Sequence, residues 1–591
     1  MKLSHNSPWR STSLWVLLGI CLVAFFWRLG NVSLFDLDEA LYVGSARQMV
    51  QSGDYITPRL NSRPPYDTNL LTVPFFEKPI LVYWLSALSM RLFGISEFAA
   101  RLPVALAGVC AVLLLFAIGT RWFGRRAGFF AGLLYATAPM TIIDARQMTT
   151  DGLLVLWFMG MMFAFARLQR IGEQQNETRN SEWRTLLLFW LCCSLAILTK
   201  GAIGVLLPAL VIGYYAFTAK HVTTLKSRLL SLLQTLQRLR PLLGLTLMLL
   251  VVAPWHIAVS KGAERDAQGR TFVQEYVVRQ HIGRFRGGDT VHNAPLPTYI
   301  AYFLVGFFPW ACFAPVAFRR KRLPTQTDST ESDSTRFLLV WFWVIFLFFT
   351  VGAAKLPTYI VPAYPAAALL FGKWLDTALQ GGSDRALKLG AFAAMLTTLL
   401  LAFAAKIAPR FAPPHNPIPE AVLQLAQHIT LILAIGCTLA WVCFLVSKSK
   451  PTFRIIGISL FGGMMLTFVL FMVTEGYSLI QSQVSGPYQR VARSANTFGA
   501  QGIPIIYYNI SPRRPSMLFY STYSPYERKE APLSPMLLPI LKKRAVVITS
   551  LKSYTEKLLP ELTQSPNLHW QLVEQQGAGR ETWVLIRIDK D

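Results

Sequence analysis

The chain has 591 residues, of which 53% are hydrophobic and only 15% charged. Soluble proteins carry about 25% charged residues, so an ordinary soluble fold is excluded, and repeated apolar stretches near the roughly 20 residues that cross a bilayer predict a polytopic membrane protein. The net charge of +26 would suit nucleic acid, but its alternation between connecting segments assigns it to membrane topology instead.

The first apolar stretch, 14–29, has a basic flank and no small-x-small cleavage site after it, so it is expected to persist as the first helix. Further spans are expected near 98–119, 127–143, 152–166, 186–198, 202–217, 241–259, 298–318, 337–352, 356–375, 389–405, 429–446 and 455–473, about thirteen in all. Basic residues gather between alternate spans: Arg121, Arg125 and Arg126; Lys220, Lys226, Arg228, Arg238 and Arg240; Arg319, Arg320, Lys321 and Arg322; Lys448, Lys450 and Arg454. The positive-inside rule then puts the N-terminus in the cytoplasm, with loops 30–97 and 260–297 and the segment 475–591 outside.

Loop 30–97 is too long for a turn, and its amphipathic stretches 40–50 and 80–93 suit interfacial helices. Loop 260–297 is rich in charge and histidine, with Gly287 and Gly288 as a flexible point. Beyond Thr474 the composition turns mixed polar. β-like runs at 503–508, 545–550 and 583–588, with helical patterns between them, predict a small α/β domain over 475–591, following a transmembrane domain over 1–474. The seven cysteines lie in apolar spans, with no disulfide framework and no metal-ligand spacing to histidine.

Ionisable groups are expensive beside a bilayer, so the collection of Asp36, Asp38, Glu39, Arg59, Glu77 and Lys78 in loop 30–97 suggests a working site. Three motifs carry it: F-D-L-D-E-A-L-Y at 35–42, T-P-R-L-N at 57–61 and F-F-E-K-P at 75–79. Together they resemble the first external loop of the aminoarabinose transferase (ArnT-type) and protein O-mannosyltransferase group, integral-membrane glycosyltransferases of the GT-C class. The resemblance extends to Asp151 in the second external loop, Lys200 in L-T-K-G, His256 in A-P-W-H and Lys355 in K-L-P-T-Y. The chain departs from the family in two places. Leu41 replaces the arginine of D-E-x-R-Y, Tyr42 being retained, and the spacer 62–74 is longer, forming an extra flap.

What the resemblance implies is an α-helical polytopic GT-C fold with a C-terminal extracytoplasmic α/β domain. Its reaction is an inverting transfer of an aminoarabinose- or hexose-like sugar from a polyprenyl phosphate donor, without a nucleotide sugar. The acceptor would be lipid A, another glycolipid or glycan, or a protein Ser/Thr hydroxyl as in the O-mannosyltransferases. The site would lie on the outer face of the inner membrane. Asp38 and Asp151, with Glu39, would be the catalytic or acceptor-orienting carboxylates, while Lys78, Arg59, Lys200 and Lys355 would bind the donor phosphate. Glu77 and His256 are candidates for a divalent metal ion. Arg279, Arg284 and Arg286 suit phosphate or anionic lipid.

Plainer readings stand beside these. Asp36, Asp38 and Asp151 also suit helix N-caps, Lys200 a snorkelling side chain, and His256 a partner for a helix C-terminus. No P-loop and no G-x-G-x-x-G after a strand occurs in the sequence. A transporter or lipid flippase would place its ionisable residues at mid-membrane in broken helices, whereas here the acids fall in the loops.

Overall fold

The computed structural model describes residues 12–590 except 37, 62–71, 170–178, 220–222, 263, 267, 284–293, 319–328, 353–354, 383, 411–419, 448–451, 485, 511–514, 522–525, 529–543 and 578–581. The flap and the Arg284–Arg286 segment therefore lie almost wholly outside the described residues. Each expected span coincides with a helix or a broken helix. Eight are long and apolar enough to cross a membrane, among them Glu97–Phe123, Thr150–Leu168, Glu182–Lys200 and Pro241–Lys261. Two more are bent pairs: Arg125–Thr137 with Pro139–Arg146, bent by 65°, and Thr298–Gly306 with Trp310–Ala317, bent by 112°. The first bend falls at Pro139, whose ring and missing N–H stop the preceding helix.

The structure thus supports eight to ten full-length spans among the described residues. The rest of the expected thirteen are shorter. Ile203–Phe217 has 15 residues, and at about 1.5 Å per residue it reaches only about 22 Å, less than the ~30 Å hydrocarbon layer.

Loop 30–97 contains the two expected helices, Asp38–Ser52 and Leu81–Phe93. Between them, strand β1 (Arg59–Asn61) pairs antiparallel with β2 (Thr72–Pro74), Arg59 opposite Pro74, so the ends of the inserted segment are held together. Tyr42, Val43, Ala46 and Met49 from the first helix, with Tyr83, Ala87 and Met90 from the second, share one apolar core with Ala99, Ala100 and Val104 at the start of Glu97–Phe123. Packing against the membrane helices, not helix propensity alone, holds the loop.

The C-terminal segment forms a five-stranded sheet in the order β4-β3-β5-β7-β6, from β3 (Ile505–Tyr508), β4 (Tyr526–Arg528), β5 (Arg544–Ser550), β6 (Leu568–Gln576) and β7 (Trp583–Lys590). β3 runs parallel to β4 and β5, whereas β5–β7 and β6–β7 are antiparallel. One face packs Ile506, Val547 and Ile586 against Leu558 and Leu562. The other packs Tyr507, Val546 and Leu585 against Tyr488, Val491 and Ala495 of the helix Gly486–Gly499. Two buried faces explain the unbroken apolar runs of β3, β5 and β7. The edge strand β6 is largely exposed and lacks such a run.

One buried ion pair joins the loop to the helices. Arg101, 1% exposed, donates to both oxygens of Glu39, 2% exposed, at 2.7 and 2.8 Å. Its remaining N–H groups reach the carbonyls of Leu29 (3.0 Å), Val32 (2.5 Å) and Ser33 (3.1 Å). Glu39 also accepts the amides of Phe35 (2.8 Å) and Met148 (3.1 Å). Arg101→Met should strand a buried carboxylate and lower stability by about 3–5 kcal/mol, read as a fall in the melting temperature of the purified protein. Adding Glu39→Gln should restore part of the loss.

Candidate active site

The D-E pair divides its labour. Glu39 is turned inward to Arg101, and Asp38, beside it at the start of the helix Asp38–Ser52, is exposed. Glu39, expected as a catalytic carboxylate, is enclosed in the join between loop and membrane helices.

Around Tyr42 the acids converge. Tyr42 is 1% exposed and Tyr83 0%, with their rings edge to face at 5.8 Å. Burial pushes the Tyr42 hydroxyl well above its ordinary range, and the charges of Asp38, Glu77 and Asp151, with Tyr83, push it further. Burial likewise raises Tyr83, aided by Glu77 and Asp38. Both phenols stay protonated at neutral pH. Three carboxylates from separate segments therefore act on one buried hydroxyl. Glu77 and Lys78 are half-buried between β2 and the helix Leu81–Phe93, and both make polar interactions.

Asp151 and Lys200 meet across two spans. Asp151 lies in the first turn of Thr150–Leu168, and Lys200 ends the neighbouring Arg179–Lys200. The Lys200 ammonium donates to Asp151 in a close ion pair and lies 4.9 Å from the centre of the Tyr359 ring. The T-K-G spelling has a local cause. Gly201 takes φ +76°, the left-handed turn that closes a helix C-terminus, and Thr199 bonds back to Leu195 at 2.7 Å. Asp144, only 4% exposed, accepts from Thr149 at 3.4 Å and lies against Gly152, where a Cβ would come within 3.3 Å of its carboxylate.

The other expected residues have partners of their own. Lys355 is buried, donates to the carbonyls of Thr350 (3.0 Å) and Gly352, and caps the end of Ser329–Val351. From the same K-L-P-T-Y motif it is Tyr359 that reaches Lys200. Arg59 is held by Asp54 (3.3 Å) and Glu264 (2.6 Å), clasping loop 30–97 to the segment after Pro241–Lys261. Arg279 pairs with Glu275 at 2.8 Å. His256 directs Nδ1 to the Val252 carbonyl at 2.9 Å and is walled by Trp255, Phe272 and Tyr276. Among the described residues no three His, Cys, Asp or Glu side chains group as metal ligands.

Asp144, Tyr83, Tyr359 and Arg101 were not singled out by the sequence. Only Tyr359 carried a signal, as the last letter of a matched motif. Lys200→Met should leave Asp151 buried beside Asp144 without its cation and cost about 3–5 kcal/mol, with Asp151→Asn in the same chain recovering most of it; thermal melts of the three variants check this.

Residues 77–257 match the family model described as dolichyl-phosphate-mannose-protein mannosyltransferase. The undecaprenyl phosphate-alpha-4-amino-4-deoxy-L-arabinose arabinosyl transferase of Aeromonas hydrophila is 32% identical over 427 residues, 72% of this chain and 71% of that protein. Its counterpart in Aeromonas salmonicida is 30% identical over 429 residues, 72% and 70% of the two chains. A crystal structure of ArnT from Cupriavidus metallidurans bound to undecaprenyl phosphate superposes with a TM-score of 0.71 at 21% identity, covering 97% of this chain and 98% of that one. That likeness establishes the fold.

Proposed function

The chain belongs to the undecaprenyl phosphate-alpha-4-amino-4-deoxy-L-arabinose arabinosyl transferase family, and from that membership we propose how its own residues transfer a sugar. It is a membrane glycosyltransferase of the GT-C type that draws its sugar from a polyprenyl phosphate donor. The observation that carries the site is the packing that joins the motifs: Phe75, two residues before Glu77, lies against Tyr42, four after Asp38, and Leu153 and Leu198, close in sequence to the paired Asp151 and Lys200, share the same apolar core.

Transfer breaks the bond between the anomeric carbon and the donor phosphate oxygen, and the phosphate leaves with the electron pair. Lys78, a compact cation at the membrane surface, stabilises that charge as it develops. Leu41 packs with the apolar core of the loop where relatives place an arginine, which shifts the phosphate contact further onto Lys78. The acceptor oxygen forms the new bond to carbon. The cluster of carboxylates suits a sugar bearing an ammonium group, through charge-assisted hydrogen bonds. An amino-sugar donor and a lipid A phosphate acceptor are therefore the favoured pair, since a phosphate oxygen is already anionic and needs no base. The mannosyltransferase family match over 77–257 supports a second reading, in which a protein Ser/Thr hydroxyl is the acceptor and Asp38 takes its proton.

We propose that the site and the C-terminal domain lie on the outer face of the inner membrane. Arg121, Arg125 and Arg126 lie at the turn between Glu97–Phe123 and Arg125–Thr137, at the opposite end of the first of these helices from Arg101. This polarity suits the positive-inside rule. A cysteine placed at Ser565 should react with a membrane-impermeant reagent from outside; labelling from the cytoplasmic side alone would reverse the orientation.

Incubation with labelled polyprenyl phosphate sugars and membrane extract tests the reaction. Label in lipid A supports the favoured pair, label in protein the second reading, and label in neither removes both. Lys78→Ala should slow transfer by roughly 30- to 1000-fold, an effect of about 2–4 kcal/mol. A merely structural ion pair at the surface would be worth less than about 1 kcal/mol, so near-normal turnover would take Lys78 out of the mechanism.

A further inference from the structure

The segment that presents Asp38 is gripped from two sides. Arg101 and Glu39 hold Leu29–Phe35 from the membrane side, as described above. From the other side come two helices of the C-terminal part, Gly486–Gly499 and Pro515–Tyr520. Asp36 receives the Tyr488 hydroxyl and, at 3.0 Å, the Ser516 amide. The Leu34 amide donates to the Tyr520 hydroxyl at 2.8 Å, and the Leu34 carbonyl accepts from Gln489 at 2.8 Å. Further along the helix Asp38–Ser52, Arg47 donates to the Phe519 carbonyl at 2.6 Å.

A surface carboxylate at a helix start is satisfied by water or by the helix's own amides. Asp36 instead reaches partners more than four hundred residues away, and does so two positions before the exposed Asp38. A hydrogen bond to an ionised carboxylate is about twice as strong as one between neutral groups, and Asp36 accepts two across this interface.

We infer that Asp36 is a positioning residue for sugar transfer: through Tyr488 and Ser516 it seats the C-terminal domain on loop 30–97, and that seating fixes Asp38 for turnover. The inference rests on the transfer reading above. It makes the C-terminal domain part of the catalytic unit. On that reading Lys78 holds the donor phosphate and Asp38 orients the sugar being transferred, so loss of the seating falls more on the rate than on donor affinity. A displacement of Asp38 of about 1 Å is enough for a loss near 100-fold.

The test uses the full-length protein in lipid nanodiscs, with Asp36→Ala, Asp36→Asn, Tyr488→Phe and the Asp36→Ala/Tyr488→Phe pair. Hydrogen–deuterium exchange over 486–499 and 515–520 reads the seating, and steady-state transfer reads kcat and KM for the polyprenyl phosphate sugar. Asp36→Ala should raise exchange in both helices and lower kcat by roughly 10- to 100-fold, with KM changed less than about threefold. Tyr488→Phe removes one oxygen and should do the same more weakly. Asp36→Asn keeps an acceptor and should recover part of the rate. The pair should be no slower than Asp36→Ala alone, because both changes cut one contact.

Unchanged exchange in Asp36→Ala and Tyr488→Phe overturns the seating. Raised exchange with kcat within about twofold of the parent leaves Asp36 a structural tie only and overturns the positioning role. Exchange is measured without turnover, so a parent protein that transfers no sugar removes the transfer reading and the positioning role together, while the exchange data still decide the seating.

Discussion

Arg101 is the point on which the outer half of the molecule depends. A guanidinium carries five N–H donors in a rigid plane, and here they meet two carboxylate oxygens and three backbone carbonyls within 3.1 Å. A lysine could not bind the end of the first helix, the turn after it and Glu39 at once. Charges buried to this depth persist only when nearly every donor and acceptor is satisfied. Because Glu39 is fixed, its neighbour Asp38 faces outward, and the helix that follows sets Tyr42 one turn later among the acids. The active face is thereby referred to the start of a membrane helix.

The cluster that results is a polar patch built against apolar walls. Phe75 packs on Tyr42, and Phe76 on Phe272, which adjoins Trp255 and Tyr276. In such surroundings charge interactions are much stronger than in water, which suits a reaction whose leaving group gains negative charge. Lys200 and Asp151 compensate each other, and Glu77 and Lys78 are neighbours in sequence, both half-buried. The neutral phenols of Tyr42 and Tyr83 are in electrostatic reach of both Asp38 and Glu77, adding hydroxyl groups without adding charge.

Much of this was readable from the sequence, for physical reasons. Apolar runs announced the helices because a bilayer tolerates little else. The buried strands β3, β5 and β7 announced themselves because both their faces are covered. The edge strand β6 did not, since its pattern answers to solvent. Motif resemblance singled out Asp38, Glu77, Lys78, Asp151 and Lys200 but could not say which member of the D-E pair faces inward. That depends on Arg101, 62 residues away. Asp36 read as a helix cap because its partners Tyr488 and Ser516 are 452 and 480 residues distant. Spacing gives no side-chain direction, so it could not show that Lys355 lies on the end of Ser329–Val351 and against Tyr299, while Tyr359 sits on Lys200.

The central claim is that loop 30–97, Asp151 and Lys200 enclose one site in which Lys78 holds the donor phosphate. Its most direct test is a structure of this protein with undecaprenyl phosphate bound. The account predicts a phosphate oxygen within about 4 Å of the Lys78 ammonium, the limit of an ion pair, on the same side of the protein as the Asp38 and Asp151 carboxylates. A phosphate bound elsewhere, with Lys78 turned from it and Asp38 and Asp151 on separate faces, would contradict it.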